Sequence, residues 1–239
     1  MFSLIIPTYN EHKNIIPLIF KIRDALNSQP YEIIIIDDNS PDGTWQLVEE
    51  MTVQDSRVRL IKRFGERGLS SSVLKGFEQA RGHMLAVMDA DFSHDVEVLP
   101  RMLQLMHTDS LDCIIASRYI KGAEIQNWPL SRKLYSFLAT RFASAIVGVR
   151  VSDPLSGFFC ISKVFYDQCR SQLKPRGYKI LLELLAKGQP KKLLELPYVF
   201  QNRRAGKSKL SLGVIFDFLF QIAGLAVYRL FRGYSDGCH

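Results

Sequence analysis

The sequence has no disulfide or zinc framework: its four cysteines, Cys113, Cys160, Cys169 and Cys238, form no CxxC pair and show no histidine spacing of a zinc site. A reducing compartment is the expectation. No internal repeat and no Gly-, Ser- or Pro-rich linker interrupts the 239 residues, so the length accommodates one large α/β domain or two small ones. The start, Met1-Phe2-Ser3-Leu4-Ile5-Ile6-Pro7, has neither the basic region nor the small-residue cleavage site of a signal peptide and reads as a first strand. Recognised RNA-binding motifs and aromatic-rich basic stripes are also missing, which argues against nucleic acid as the partner. What is present is a 47% hydrophobic composition, ample for a core, and a formal charge of +7, which favours an anionic partner.

Strand and helix signals alternate along the chain. Phe2 to Pro7 reads as strand, and Asn14 is expected to cap a helix reaching about Leu26, with Ile15, Leu18, Ile19, Ile22 and Leu26 on one face. The β-branched run Ile33-Ile34-Ile35-Ile36 has no polar alternation and so predicts a strand covered on both faces. A helix over Thr44–Val53, a strand at Val58–Ile61, a helix from about Ser70 to Ala80, and strands at Leu85–Met88 and Leu111–Ala116 follow. This spacing predicts a mostly parallel sheet with helices on both sides.

Two of the strands end in paired acids, Asp37-Asp38 and Asp89-Ala90-Asp91. Ligands of open α/β sheets bind beyond the carboxyl ends of strands, so both pairs are candidates to line one crevice. Residues two apart in extended chain point the same way, which brings Asp89 and Asp91 together if that geometry persists past Met88. Close carboxylates repel unless a cation stands by, and a divalent ion with oxygen ligands, Mg²⁺ or Mn²⁺, suits a site shared with a diphosphate. Capping of the following helix or turn is the plainer alternative for such acids.

The ordered set Pro7-Thr8-Tyr9-Asn10-Glu11, Asp37-Asp38-Asn39-Ser40-Pro41-Asp42-Gly43-Thr44, Gly68-Leu69, Asp89-Ala90-Asp91, Ser117-Arg118-Tyr119, Asp153-Pro154-Leu155-Ser156-Gly157-Phe158 and Arg203 to Leu210 spans nearly the whole chain. It resembles family-two inverting glycosyltransferases with the GT-A fold, and among them the dolichyl-phosphate (polyprenyl-phosphate) mannose synthases. The resemblance implies a catalytic domain over residues 1–210. Its half 1–116 would hold the nucleotide, its half 117–210 the acceptor phosphate, and a hydrophobic helix and tail would occupy 211–239. Pro7, Tyr9, Glu11, Asp37 and Asp38 would hold the base and ribose of a sugar nucleotide, and Asp89 and Asp91 the metal and diphosphate. Arg118, Arg132 and Arg203 would surround the acceptor phosphate, with Lys121, Lys207 and Lys209 assisting.

Two departures from the family pattern stand out. Ser93 occupies a position where some relatives use a Gln on the metal, and Asn39 stands where many have Gly, which Asn tolerates because it also adopts left-handed backbone. The reaction so implied is transfer of mannose from GDP-mannose to a polyprenyl monophosphate with inversion, on the cytosolic face of a membrane. A lipid monophosphate is mostly dianionic at neutral pH and attacks without a general base, so no catalytic histidine is required. Neither His94 nor Asp95 is assigned a chemical role, and Asp153 and Ser156 are expected to order the site rather than react. UDP-glucose or another sugar nucleotide remains an alternative donor, since no residue separates guanine from uracil. A nucleotidylyltransferase would need a Gly-rich loop where Pro7-Thr8-Tyr9-Asn10-Glu11 stands, and a non-catalytic membrane scaffold would predict loss of the acids and arginines.

Leu212 to Leu230 is the most apolar stretch, and its length approaches that of a membrane-spanning helix. Asp217 near its middle costs about 2.5–3.5 kcal/mol on an insertion scale. Gly213, Asp217, Gln221, Gly224 and Tyr228 share one narrow stripe, which favours an amphipathic helix lying in the membrane interface with Arg229 and Arg232 toward headgroups. A core helix, or one covered by a membrane partner subunit, is the alternative. Ser131 to Val147 is a second interfacial candidate.

Overall fold

A computed structural model describes residues 1–26, 29–65, 67–148, 150–174, 177–204 and 212–235. Its central sheet has seven strands. β1 (Phe2–Thr8), β2 (Tyr31–Asp37), β3 (Val58–Lys62), β4 (Met84–Val87), β5 (Cys113–Ser117), β7 (Phe159–Ser162) and β8 (Leu193–Pro197) lie in the order β3-β2-β1-β4-β7-β5-β8. All neighbours are parallel except β7, which runs antiparallel between β4 and β5. The expected mostly parallel sheet is therefore present, with one reversed strand that was not among the expected ones although Phe158 to Ile161 form a short apolar run. A parallel ribbon of β6 (Glu124–Ile125) and β9 (Val199–Phe200) stands beside it.

The isoleucine run explains how both faces are filled. Every residue of β2 is buried, and its alternate side chains go to opposite sides: Ile33 and Ile35 to one apolar cluster, Ile34 and Ile36 to the other. The first cluster is covered by α1 (Ile15–Ala25), α2 (Thr44–Gln54) and α4 (Val98–Thr108), through side chains such as Leu18, Val48 and Met102. The second is covered by α3 (Leu69–Gln79), α6 (Lys163–Cys169) and α7 (Ile180–Gly188), through Val73, Phe77, Phe165 and Leu181. α3 packs so closely on β1 that a Cβ at Gly76 would come 2.5 Å from Ile5 Cγ2.

The expected cap at α1 takes another form. Asn14 has helical backbone and no capping bond from its side chain; its Nδ2 donates instead to Glu11 Oε2 at 2.8 Å. The preceding loop turns on Asn10, whose φ of 59° is left-handed. Asn39 likewise has φ 54°, the conformation expected of the residue standing in for a glycine.

A third, smaller cluster joins α5 (Leu130–Val147) and α8 (Leu212–Ser235) to the body through Ala143, Leu155, Leu182, Ile222 and Leu225. The expected C-terminal helix is thus helical, and among the described residues no helix is long and apolar enough to cross a membrane. Both α5 and α8 leave apolar side chains outside. Leu134, Leu138 and Phe142 follow one another at four-residue steps on α5, and Phe216, Phe220, Val227 and Phe231 form one stripe on α8; all seven are exposed.

At the amino ends of the strands a single carboxylate ties the sheet together. Glu32 accepts from Ser3 Oγ at 2.6 Å, Arg81 N at 2.7 Å and Arg59 Nη1 at 2.7 Å. Burial alone would raise the pKa of Glu32, but these donors outweigh it and hold the carboxyl below its ordinary range. A depressed folded pKa means stability that is present above the unfolded pKa and lost as pH falls through the folded one. Glu32→Gln is expected to lower unfolding free energy at neutral pH by about 1–3 kcal/mol. In denaturant titrations, the gap from wild type should close between about pH 5 and about pH 3.

Candidate functional site

The carboxyl ends of β1 and β2 carry the first group of candidate residues. Asp37 is fully buried and accepts from Thr8 Oγ1, Ser40 N and Ser40 Oγ at 2.7–2.8 Å, so it fixes the turn after β2. Asp38 accepts from Gly68 N at 3.0 Å and from Arg63 Nε at 2.7 Å, while Arg63 also reaches Ser71, Ser72 and the Gly68 carbonyl. That network ties β2 to the start of α3. Glu11 is buried, Pro7 pairs with Ile36 across β1 and β2, and Tyr9 lies under Arg67, with the guanidinium 4.5 Å from its ring centre. These five residues gather around the ends of β1 and β2, apart from the main pocket.

The second group meets in one concave pocket of about 470 Å³. Asp89, Asp91, Arg118, Arg132 and Arg203 all line it. β4 ends at Val87, so the strand itself does not carry the acids; Asp89 and Asp91 sit on the loop beyond, which turns at Phe92 with φ 62°. Asp91 is buried, accepts from Ser93 Oγ at 2.5 Å and Ser93 N at 3.1 Å, and pairs with Arg203 Nε at 2.7 Å. The loop is pinned to the segment after β9 by Gln201 N to Ser93 O and Arg204 N to Asp91 O.

Asp89 keeps 33% of its side-chain surface open to the pocket. Its Oδ2 lies 3.2 Å from His94 Nε2, and Gly157 leaves it room, since a Cβ there would come 3.0 Å from that oxygen. Burial works to raise the pKa of Asp89, but the His94 hydrogen bond and the electrostatic influence of His94, Lys179 and Arg203 hold it below the usual carboxylate value. Asp89 is therefore anionic near neutrality.

The three arginines differ in how they are held. Arg118 grips the fully buried Asp153 at two points, Nε to Oδ2 at 2.7 Å and Nη2 to Oδ1 at 2.8 Å. Burial alone would lower its pKa; the carboxylate more than offsets this and raises it. Asp153 in turn is oriented by its own N–H, which with that of Ser152 donates to Glu195. Arg132 lies over Trp128, 3.9 Å from the ring centre, and its pKa is lowered by burial and by the nearby charge of Arg203. Lys121 is exposed and does not line the pocket; Lys207 and Lys209 lie outside the described residues.

Three residues of the site had no sequence signal strong enough to single them out. His94 is buried against Phe158, Tyr198 and Phe200, with Nδ1 3.1 Å from Tyr198 Oη and Nε2 on Asp89. Lys179 lines the pocket, donates to the Leu155 carbonyl at 3.1 Å, and has its pKa lowered by burial and by Arg118. Arg63 is the buried cation of Asp38. Adjacency to the acid pair was the one available clue for His94; the other two meet their acids only through tertiary structure.

Among the described residues no group of three His, Cys, Asp or Glu side chains could enclose a metal ion. The pair Asp89 and Asp91 nevertheless fits a hard divalent ion of the kind that takes one or two carboxylates and completes its shell with phosphate and water. Both offer oxygen donors in the same pocket as four cationic side chains, a lining that accommodates a phosphate-bearing ligand as well.

Comparison with known proteins agrees with this geometry. The profile of glycosyl transferase family 2 matches residues 3–168. Dolichol-phosphate mannosyltransferase of Pyrococcus furiosus is 42% identical over 96% of this chain, which spans 63% of that relative's length. The Saccharomyces cerevisiae protein of the same name is 37% identical, over 95% of this chain and 88% of its own. In fold, the chain is similar to glucosyl-3-phosphoglycerate synthase from Mycobacterium tuberculosis, solved in complex with Mn²⁺, UDP and phosphoglyceric acid. The TM-score is 0.66 at 16% identity, over 96% of this chain and 78% of the other.

The buried pair of Arg118 and Asp153 makes a test of the site's construction. Asp153→Leu, which leaves Arg118 buried without its counter-charge, is expected to cost about 3–5 kcal/mol of stability. The double variant Arg118→Met, Asp153→Leu should recover most of that loss in denaturant unfolding.

Proposed function

The chain belongs to glycosyl transferase family 2, and we propose that within it the protein transfers mannose from GDP-mannose to a polyprenyl monophosphate with inversion at the anomeric carbon. The observation that carries this reading is the meeting, in one pocket, of Asp89 and Asp91 with Arg118, Arg132, Arg203 and Lys179. Two anions, a nucleoside diphosphate and a lipid phosphate, need such a mixed lining to come together. The names of the curated relatives support the acceptor class.

On this reading residues 1–116 hold the nucleotide, with Pro7, Tyr9, Glu11, Asp37 and Asp38 around base and ribose. Because Asp37 and Asp38 already serve Ser40, Thr8 and Arg63, their role toward the nucleotide is chiefly to hold the loops that contact it. Residues 117–210 hold the acceptor phosphate. Asp89 and Asp91 hold Mg²⁺ or Mn²⁺, which when bound stabilises the departing diphosphate.

The reaction is a single displacement. An oxygen of the dianionic lipid phosphate forms the new bond to the anomeric carbon as the bond from that carbon to the nucleoside diphosphate breaks, and the electron pair leaves with the diphosphate. No proton has to move, so no general base is needed. Arg132, which has no carboxylate partner among the described residues, meets the acceptor phosphate directly. Arg118 offers it the edge not engaged by Asp153. Arg203 is paired with Asp91 Oδ2; drawn to a phosphate, it would leave that carboxylate oxygen free for a cation.

On this reading the protein works at a membrane, on its cytosolic face; the lipid nature of the acceptor supports the membrane. The exposed apolar stripes of α5 and α8 suit helices lying in the interface.

Transfer of radiolabelled sugar from GDP-mannose and from UDP-glucose to polyprenyl phosphate tests the proposal. Divalent-ion-dependent labelling from GDP-mannose is expected, reduced about a hundredfold or more in Asp91→Ala. Arg132→Ala should raise KM for the acceptor while leaving KM for the donor unchanged. Labelling from UDP-glucose alone would reassign the sugar; labelling from neither would contradict the acceptor assignment.

A further inference from the structure

A second concave site, of about 650 Å³, lies where the end of α5 meets α8, and it is lined by Arg141, Ser144, Gly148, Arg150, Ser152 and Arg229 among others. None of the residues lining it lines the catalytic pocket. Three arginines line it, and among the described residues no carboxylate pairs with any of them. Arg229 makes one long bond, Nη1 to the Ile146 carbonyl at 3.5 Å, and Arg141 faces the Phe137 ring at 6.0 Å. Gly148 ends α5 with φ 70° and leaves the space that the Arg229 guanidinium occupies. Like charges brought together without counter-charge favour an anion, and the planar fork of arginine suits phosphate oxygens.

The surroundings specify the kind of anion. Leu138, one turn before Arg141 on the same face of α5, and Phe142, next to it, are 52% and 57% exposed. Basic groups beside the exposed apolar side chains of α5 match the headgroup region of a bilayer, where phosphate lies next to acyl chain. A site for free phosphate would gain nothing from those apolar neighbours. The chain's net charge of +7 acts in the same direction.

We infer that Arg141, Arg150 and Arg229 form a headgroup site for an anionic phospholipid, distinct from the catalytic pocket, which seats the enzyme on its membrane. The inference rests on the membrane reading above and names the residues that meet lipid phosphate. Seated this way, α5 carries Arg132 at its first turn and the headgroup site at its last, so one helix spans from bilayer contact to the acceptor pocket.

Flotation of the full chain with vesicles tests it, using phosphatidylcholine alone and phosphatidylcholine mixed with phosphatidylglycerol. The wild type should bind the mixed vesicles more tightly. Arg150→Gln, at an exposed side chain without a partner, should weaken that binding about fivefold, and Arg141→Gln, Arg150→Gln, Arg229→Gln together about a hundredfold. A charge-matched variant, Lys13→Gln, Lys21→Gln, Arg101→Gln, removes exposed cations from α4 and the α1 region and should keep most of the affinity. Equal losses in the two triple variants, or no preference for phosphatidylglycerol, would overturn the site. Displacement from vesicles by inorganic phosphate at constant ionic strength would reassign it to free phosphate. Sugar transfer to a water-soluble short-chain prenyl phosphate, measured on the same variants, reads the catalytic pocket alone. Transfer retained with vesicle binding unaffected by the arginines would overturn this inference only, and vesicle binding without transfer would count against the catalytic reading only.

Discussion

Most carboxylates gathered at the carboxyl ends of this sheet are answered by a basic side chain, Asp37 by the hydroxyls of Thr8 and Ser40 instead, and that constraint orders the upper face of the molecule. Asp38 has Arg63, Asp89 has His94, Asp91 has Arg203 and Asp153 has Arg118. Carboxylates this numerous around one crevice repel one another, and their partial burial removes the water that would screen them. The chain supplies its own counter-charges from distant segments, and in doing so fixes the loops that carry them. Asp38 and Arg63 lock the turn after β2 to α3; Asp91 and Arg203 lock the loop after β4 to the segment after β9.

The pairs are not equivalent, and their differences map onto roles. Arg118 and Asp153 are buried and joined at two points, a geometry that holds shape and is costly to open. Arg203 is 41% exposed on its side chain and its Nε meets Asp91 at 2.7 Å. Water reaches the Arg203 side of that pair, while Asp91 stays buried and keeps its bonds from Ser93. The site thus combines a fully buried two-point pair with a partly exposed one, and the partly exposed one lies on an acid of the proposed cation site. Asp89, held anionic and partly open, is the other.

Much of this was legible in the sequence, and what escaped did so for physical reasons. Unbroken runs such as Ile33-Ile34-Ile35-Ile36 gave away strands covered on both faces, and acids directly after them marked the carboxyl ends. The reversed strand β7 was not visible, because four residues, Phe159 to Ser162, carry no periodicity that distinguishes direction. Partners of the acids were hidden by sequence distance: Asp38 meets Arg63 from 25 positions away and Arg118 meets Asp153 from 35. Asn14 looked like a cap because its residue type favours one, but Glu11 competes for its side chain. The spacing of α8 pointed to a polar stripe, but that Gln221 within it is buried and donates to the Lys179 carbonyl, that Ile222 and Leu225 pack on the body, and that an apolar stripe stays outside all required the tertiary contacts.

The proposal that Arg203 gives up Asp91 when substrate and cation bind has one direct measurement. A structure with GDP-mannose and Mn²⁺ bound should find the Arg203 guanidinium moved away from Asp91, well beyond the resting 2.7 Å, with an Asp91 oxygen on the ion. An intact pair beside a fully bound nucleotide and metal would contradict the account.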